Sequence, residues 1–217
     1  MKQNIRFIVV VSVIFVLVGI LAVRERLRTR DIVFAEALDE VVAVIDGQKL
    51  TLRDVAFYIA YEEGQMEWEA RLYDPKDTGA FWRIYTNHTF IWDEGKNTAL
   101  NMAVHDAIFY QMAIEQGLSL TEEEELLLAN DRYDFWSDLE DWQRERLGVS
   151  EETLGESMRR LALAEKYQYL LSDMKDAEFA SYSFNGAAYE RLLESHECEI
   201  EDSLWERVPF GSITVDH

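Results

Sequence analysis

The sequence predicts a mainly α-helical fold with a small β element, preceded by one N-terminal transmembrane helix. The chain has 217 residues, 48% of them hydrophobic, which is enough for one sizeable core. Its two prolines, Pro75 and Pro209, leave long uninterrupted stretches, and such stretches favour long helices. Helix-start and helix-end signals recur along the chain after a single short segment with strand character.

The first feature along the chain is an apolar segment without charge, Phe7–Val23, between Arg6 and Arg24. As a helix this segment would span about 26 Å, against about 30 Å for the hydrocarbon core of a bilayer. The alternative is a cleaved secretory signal and a secreted protein, but Ala22 offers a poor A-x-A-like cleavage site. We therefore expect a retained anchor. The chain then divides into a short tail (1–6), a transmembrane anchor (7–23), a charged stem (24–40) and one helical domain (41–217).

The charge of the chain restricts its partners. The formal net charge is −21. Because binding to phosphate groups needs clustered Lys and Arg side chains, we expect neither nucleic acid nor an anionic lipid surface as a partner. Four arginines, the last of them Arg30, follow the anchor. By itself the positive-inside rule then places the large domain in the cytoplasm, but this rule is weak before a long acidic domain.

The domain begins with a predicted hairpin. Val41–Ile45 is a short β-branched run, and Asp46-Gly47 is a pair that supplies the positive φ angles of a type I′ turn. Gln48–Leu50 then returns as a second strand. Thr51 and Asp54 have the spacing of a capping box, so a helix is predicted to begin at Leu52 and to reach an end or irregularity near Gly64.

Further boundaries follow from turn, capping and glycine signals. Tyr73–Gly79 is predicted to be a loop, and the aromatic stretch after it is ambiguous between helix and strand. A helix is predicted to end at Gly117, with five apolar residues on one face: Leu100, Val104, Ala107, Ile108 and Met112. The Thr121–Glu124 capping box predicts the start of a helix that runs to Leu147 and ends at Gly148.

The remaining part of the chain is predicted to complete the domain. Ser150 opens a helix that carries on to about Met174, and a last helix lies near Ala187–Ser195. The segment after it, "EIEDSLWERVPFGSITV", is rich in β-branched and aromatic residues, which indicates one or two closing strands, with the closing segment near Trp205–Val215. We expect this segment to pair with the hairpin.

No motif for catalysis or cofactor binding occurs in the sequence: there is no phosphate loop, dinucleotide fingerprint, G-x-S-x-G or HExxH. The four histidines show no ligand spacing, and Cys198 is the single cysteine. A stripe of aspartates is expected to be a solvated helix face, because a straight helix spreads its carboxylates too far for calcium. The stripe consists of Asp131, Asp134, Asp138 and Asp141. We therefore expect no catalytic residue, no cofactor and no metal.

The order of these parts resembles the N-terminal chaperone domain of the SurA/PrsA group of foldases. The segment "VVAVIDGQKLTLRDV" is similar to the strand pair and helix start of that family. "DAIFYQMAIEQGLSLTEEE" is similar to its helix end and restart, and "LGVSEETLGESMRRLALAEKYQYL" to its last long helix. The resemblance covers roughly Val41 to Met174.

The resemblance implies a membrane-anchored, extracytoplasmic, chaperone-like protein that binds unfolded, secreted or translocating polypeptides without catalysis. Family members with peptidyl-prolyl isomerase activity carry a parvulin domain after the last long helix, and Lys175–His217 is too short for one. Two alternatives stay open. One is an active or degenerate isomerase, and the other is an anchored scaffold for one dedicated partner in a membrane assembly.

The aromatic residues supply the candidates for peptide binding. The segment that contains Phe81, Trp82, Phe90 and Trp92 is aromatic and lacks a clear helical face. We therefore predict that these four side chains line an apolar groove. The alternative is that they pack in the core, as aromatic side chains commonly do.

Overall fold

The computed structural model describes residues Arg30–Asp216. The predicted tail, the anchor Phe7–Val23 and residues 24–29 of the stem lie outside the described residues, as does His217. Among residues Arg30–Asp216 we find no helix that is long and apolar enough to cross a membrane.

Three antiparallel strands form the small β element. β1 (Val41–Ile45) and β2 (Gln48–Thr51) make the predicted hairpin, and β5 (Cys198–Ile200) pairs with the other edge of β1. Asp46 and Gly47 have φ angles of 49° and 80°, as a type I′ turn requires, so the predicted turn is confirmed. The sheet thus joins the start of the domain to its end.

Three long helices form the core. They are α1 (Leu52–Tyr73), α3 (Ile91–Glu115) and α6 (Glu151–Lys175), and each packs against the other two. The predicted capping box at Thr51 and Asp54 starts α1, and Ser150 caps α6. The mainly helical class with a small β element is confirmed for the described residues. The shorter elements are 3-10 turns at Phe34–Glu36 and Phe179–Tyr182, helices α2 (Thr78–Trp82), α4 (Glu122–Asp138), α5 (Asp141–Leu147), α7 (Ala187–Leu193) and α8 (Asp202–Trp205), and strands β3 (Tyr85–Thr86) and β4 (Thr89–Phe90).

The predicted end of α1 near Gly64 is wrong, because the helix continues to Tyr73. Gly64 is exposed, and a glycine in a helix costs about 1 kcal/mol relative to alanine, which is too little to end α1 here. Beyond it, Met66 and Ala70 are buried and keep α1 packed on the core.

The single helix predicted between Thr121 and Leu147 is also wrong, because it is broken between α4 and α5. Arg144 donates to the main-chain carbonyl of Trp136 at the end of α4 (2.8 Å). Gln143 accepts from the main-chain N–H of Glu140 (2.7 Å) and donates to the carbonyl of Thr214. Side chains of α5 therefore cap both ends of the break, and Gln143 joins α5 to the C-terminal segment.

The predicted pairing of the hairpin with the C-terminal segment is confirmed, but its position near Trp205–Val215 is wrong. The strand that pairs with the hairpin is Cys198–Ile200, and the residues after α8 form no strand. Their backbone groups are bound by two buried side chains instead. Lys96 donates to the carbonyls of Glu206 (3.1 Å) and Val208 (3.0 Å), while Glu63 accepts from main-chain N–H groups between Gly211 and Thr214.

Candidate functional site

The four aromatic residues predicted to line a groove are divided between core and surface. Trp82 is only 2% exposed, its ring lies 5.9 Å from that of Phe210, and its Nε1 donates to Glu67 (3.2 Å). Phe81 is partly buried against the core. Trp82 is therefore held inside the domain, where a bound peptide does not reach it.

Phe90 and Trp92 lie on the surface, with exposed fractions of 42% and 37%. They stack on each other at a ring distance of 6.3 Å, and Phe90 also meets the exposed Tyr85 at 5.0 Å. The three rings form an open row beside the β3–β4 hairpin. The structure therefore does not bring the four predicted residues together around one cavity.

A groove lined by other residues lies where α4 rests on α1 and α6, and we call it the α4 groove. Its floor is made by Phe57 and Tyr61 of α1 with Leu161 of α6, and its wall by Leu128 and Phe135 of α4. The rings of Phe57 and Phe135 are 5.2 Å apart, which fixes the point where α4 meets α1. Aliphatic and aromatic side chains from these helices thus line neighbouring cavities that share Tyr61, Leu161 and Glu165.

The α4 groove extends through three adjoining cavities. The central cavity, of about 310 Å³, is lined by α1, α3, α6 and the segment that begins at Phe179, and α4 does not line it. It shares Leu161 and Glu165 with a cavity of about 500 Å³ between α4 and α6. It shares Tyr61 with a cavity of about 570 Å³ beside the α4–α5 junction. A small-molecule pocket usually occupies about 300–1,000 Å³ in one space. A row of three cavities is better suited to an extended chain than to a compact ligand.

The wall of the groove is attached loosely. No residue of α4 is fully buried, in contrast to α1, α3 and α6. Partly buried side chains, among them Leu128 and Phe135, pack α4 on the core, and exposed ion pairs, which contribute little to stability, join α4 to α6. These pairs are Glu124–Lys166 and Glu125–Arg159, both 2.6 Å, and Arg132–Glu151, 3.4 Å. With few buried contacts, α4 belongs to the part of the fold that opens most readily.

The rim of the groove is acidic. Asp131 on α4 and Glu165 on α6 face the same cavity from opposite sides, and neither forms an ion pair with another described residue. Of the described residues that line this cavity, Lys166 alone is cationic, and it is already bound to Glu124. Burial, and secondarily the charge of Asp106, raises the pKa of Glu165. A cationic group entering the groove would find two carboxylates that form no ion pair with another described residue.

A buried hydrogen-bond network supports the floor. Tyr58 donates to Asp106 (2.9 Å), Asp106 lies 2.7 Å from Nδ1 of His105, and Nε2 of His105 donates to the carbonyl of Tyr182 (2.8 Å). Burial raises the pKa of Asp106, and its hydrogen bonds to His105 and Tyr58 oppose that shift. The network joins α1, α3 and the 3-10 turn Phe179–Tyr182 behind the groove. Each of its polar atoms has a partner, which suits a positioning role.

The remaining candidates for chemistry are dispersed. Within Arg30–Asp216 no group of three or more His, Cys, Asp or Glu side chains is arranged to hold a metal ion. The four aspartates of the predicted stripe are all exposed, and Asp141 belongs to α5 while the other three belong to α4. Cys198 is partly buried in β5, and burial raises the pKa of its thiol.

Comparisons with protein-family models, with curated proteins and with solved structures find no match for this chain. The residues of the α4 groove were not predicted from the sequence. The available signal was the run Leu126–Leu128, which places leucines on more than one side of a helix and therefore exceeds what one buried face needs.

Proposed function

We propose that this protein is a chaperone-like module that holds unfolded or translocating polypeptide segments in the α4 groove without catalysis. The observation that carries the proposal is the set of adjoining cavities beside α1 and α6, two of which are walled by α4, a helix with no fully buried residue. A wall held by surface ion pairs can adjust to segments of different size. Such adaptability suits a binder of varied sequences.

The charges of the groove specify the favoured segment. Apolar side chains are needed for the floor at Tyr61 and Leu161, and Lys or Arg side chains for the carboxylates of Asp131 and Glu165. The net charge of −21 adds a long-range attraction for basic segments and a repulsion for acidic ones. We therefore expect peptides that combine aromatic or aliphatic residues with basic residues to bind best.

The expected affinity is modest. Burying one large apolar side chain contributes about 1.5–3 kcal/mol, and the cost of ordering an extended chain offsets much of that gain. Two or three such side chains then give a dissociation constant on the order of micromolar. Such an affinity permits release as well as capture.

The proposed location follows from the sequence. The predicted anchor Phe7–Val23 and the resemblance to extracytoplasmic foldases favour a domain held at the outer side of the cell membrane. Protease added to intact cells, or to spheroplasts where a wall intervenes, should digest the domain. Protection in these cells together with digestion after lysis would place the domain in the cytoplasm.

The experiment that tests the binding proposal compares leucines on the same helices. Leu161→Ser and Leu128→Ser should each weaken binding of a fluorescent aromatic and basic peptide by about tenfold, because each removes about half of a buried leucine's contribution. Leu170→Ser on α6 and Leu126→Ser on α4 are the matched controls, since both side chains are exposed. Equal affinities for groove and control variants would place the binding surface elsewhere.

The same protein preparation distinguishes the alternatives. A chaperone should delay the aggregation of several unrelated unfolded proteins, whereas a scaffold should bind one partner and leave the others unaffected. Acceleration of cis–trans isomerisation in a proline peptide by the wild-type protein would instead indicate an isomerase.

A further inference from the structure

The exposed row of rings beside the β3–β4 hairpin forms a second apolar surface, which we call the aromatic tip. It consists of Tyr85, Phe90 and Trp92, with exposed fractions of 61%, 42% and 37%. Tyr85 and Phe90 are cross-strand partners, and Trp92 stacks on Phe90 with an angle of 18° between the rings. The hairpin has only two residues per strand, too few to be stable by pairing alone. The contacts between the three rings therefore contribute to holding the hairpin, although the rings are partly exposed to solvent.

The aromatic tip lies at the end of the domain where the chain enters it from the N-terminus. Trp92 precedes Lys96 by about one helical turn on α3. Lys96 binds the carbonyls on both sides of Arg207, and Arg207 donates through Nε to the carbonyl of Arg30 (2.9 Å). A second hydrogen bond, from the N–H of Ile32 to the carbonyl of Arg207 (2.9 Å), fixes this arrangement. Arg30 is thus tied to the same end of α3 as the tip.

The length of chain between this point and the predicted anchor is short. Residues 24–29 separate Val23 from Arg30, and the seven steps from Val23 to Arg30 span at most about 25 Å when fully extended. If Phe7–Val23 crosses the bilayer, the end of the domain that carries Arg30 must lie within that distance of the membrane surface. The aromatic tip is on the side of α3 where Arg30 is tied, so it lies within reach of the lipid headgroups.

We propose that Tyr85, Phe90 and Trp92 insert into the headgroup region of the bilayer in which the chain is anchored. Trp and Tyr favour this region, because their rings are apolar and their polar atoms stay hydrated. The acidic residues next to the tip, Asp93 and Glu94, disfavour anionic lipids, so the surface fits zwitterionic headgroups. The contact fixes the orientation of the domain on the membrane. It rests on the predicted anchor and is independent of the α4 groove.

The experiment uses the full chain reconstituted into phosphatidylcholine vesicles, with flotation to show that it is inserted. Because Cys198 is the single cysteine, Cys198→Ser permits one label at a chosen site. An environment-sensitive dye on Thr86→Cys, at the tip, should become severalfold brighter and be quenched by a spin label at the headgroup. The same dye on Tyr133→Cys, exposed on α4, is the matched control and should keep the emission of a dye in water.

A second variant separates membrane contact from folding and from peptide binding. Replacing Tyr85, Phe90 and Trp92 by Ser should abolish the signal of the dye at position 86 while the affinity of the α4 groove for peptide stays unchanged. A dye at position 86 that behaves like the one at position 133 in the floated protein would overturn the proposal. Failure of the chain to float would overturn it too, because the anchor would then be absent, and would leave the groove untouched.

Discussion

Glu63 holds the C-terminal segment, and its removal should destabilise the domain more than any surface change. Its carboxylate is fully buried and accepts four hydrogen bonds: from the N–H groups of Gly211 (2.5 Å), Ile213 (3.3 Å) and Thr214 (2.5 Å), and from the hydroxyl of Thr214 (2.6 Å). Burial raises the pKa of Glu63, although these four donors oppose the shift. The segment between Gly211 and Thr214 has no strand partner, so this carboxylate replaces one.

The size of the effect follows from the donors left behind. Glu63→Ala leaves three N–H groups and a hydroxyl without an acceptor, and each buried unsatisfied group costs about 1–3 kcal/mol. Release of the carboxylate's own desolvation cost offsets part of this loss. We expect a decrease of about 3–5 kcal/mol in the free energy of unfolding, which is a large part of the about 5–15 kcal/mol of a typical domain.

Urea unfolding followed by circular dichroism measures this difference, with the exposed Glu69→Ala on the same helix as control. Glu63→Gln should lower stability less, because the amide oxygen can still accept hydrogen bonds. The loss that remains comes from the NH₂ group, which faces the N–H of Thr214 and cannot accept from it. A loss below about 1 kcal/mol for Glu63→Ala, within the usual range of surface substitutions and similar to Glu69→Ala, would refute the role of this carboxylate.

Two further predictions concern the groove wall and its support. The ion pair with Lys166 and the capping box at Thr121 lower the pKa of Glu124 from 4.5 to about 2. The ionised Glu124 carboxylate therefore contributes its full stabilisation of the folded state above about pH 4.5, and this contribution is lost as the pH falls through about 2. In Lys166→Gln, the backbone amides of α4 should exchange hydrogen faster than in the wild type at neutral pH. The two proteins should exchange at the same rate in acid, and a difference that does not change with pH would contradict this. Tyr58→Phe removes the donor to Asp106 and should lower the free energy of unfolding by about 1–3 kcal/mol. The control Tyr61→Phe, at an exposed side chain, should leave it unchanged. Equal effects of the two substitutions would show that the network does not stabilise the domain.

The parts of the fold that the sequence predicted are those set by neighbouring residues. Asp46-Gly47 needs only its own backbone preferences to turn the chain, and the Thr51 and Thr121 capping boxes close within three residues. The end of α5 at Gly148, where φ is 71°, is of the same local kind. Such signals act before any tertiary contact forms, so they can be recognised in a single sequence.

The parts that the sequence did not predict depend on residues far apart in the chain. The break after α4 requires Gln143 to meet Thr214, and the path of the C-terminal segment requires Glu63 and Lys96 as partners for backbone groups more than a hundred residues away. Neither pairing has a short-range signal. The composition of the segment favours a strand, but its backbone N–H and C=O groups are hydrogen-bonded to buried side chains and not to a neighbouring strand.

The candidate site shows the same division. Trp82 and Trp92 lie in one aromatic stretch, yet Trp82 is buried by Phe210 and Trp92 is exposed. Composition cannot distinguish the two, because the burial of Trp82 depends on a residue near the end of the chain. The groove depends in turn on how α4 rests on α1 at Phe57, which only the packed helices reveal.

The most direct test of peptide binding in the α4 groove is photo-crosslinking from a peptide that carries benzoylphenylalanine between two lysines. Mass spectrometry of the crosslinked full chain should place the adducts at Tyr61, Leu128 and Leu161, and an excess of unlabelled peptide should remove them. Adducts concentrated at Phe90 and Trp92, or spread over the surface without competition, would contradict the account.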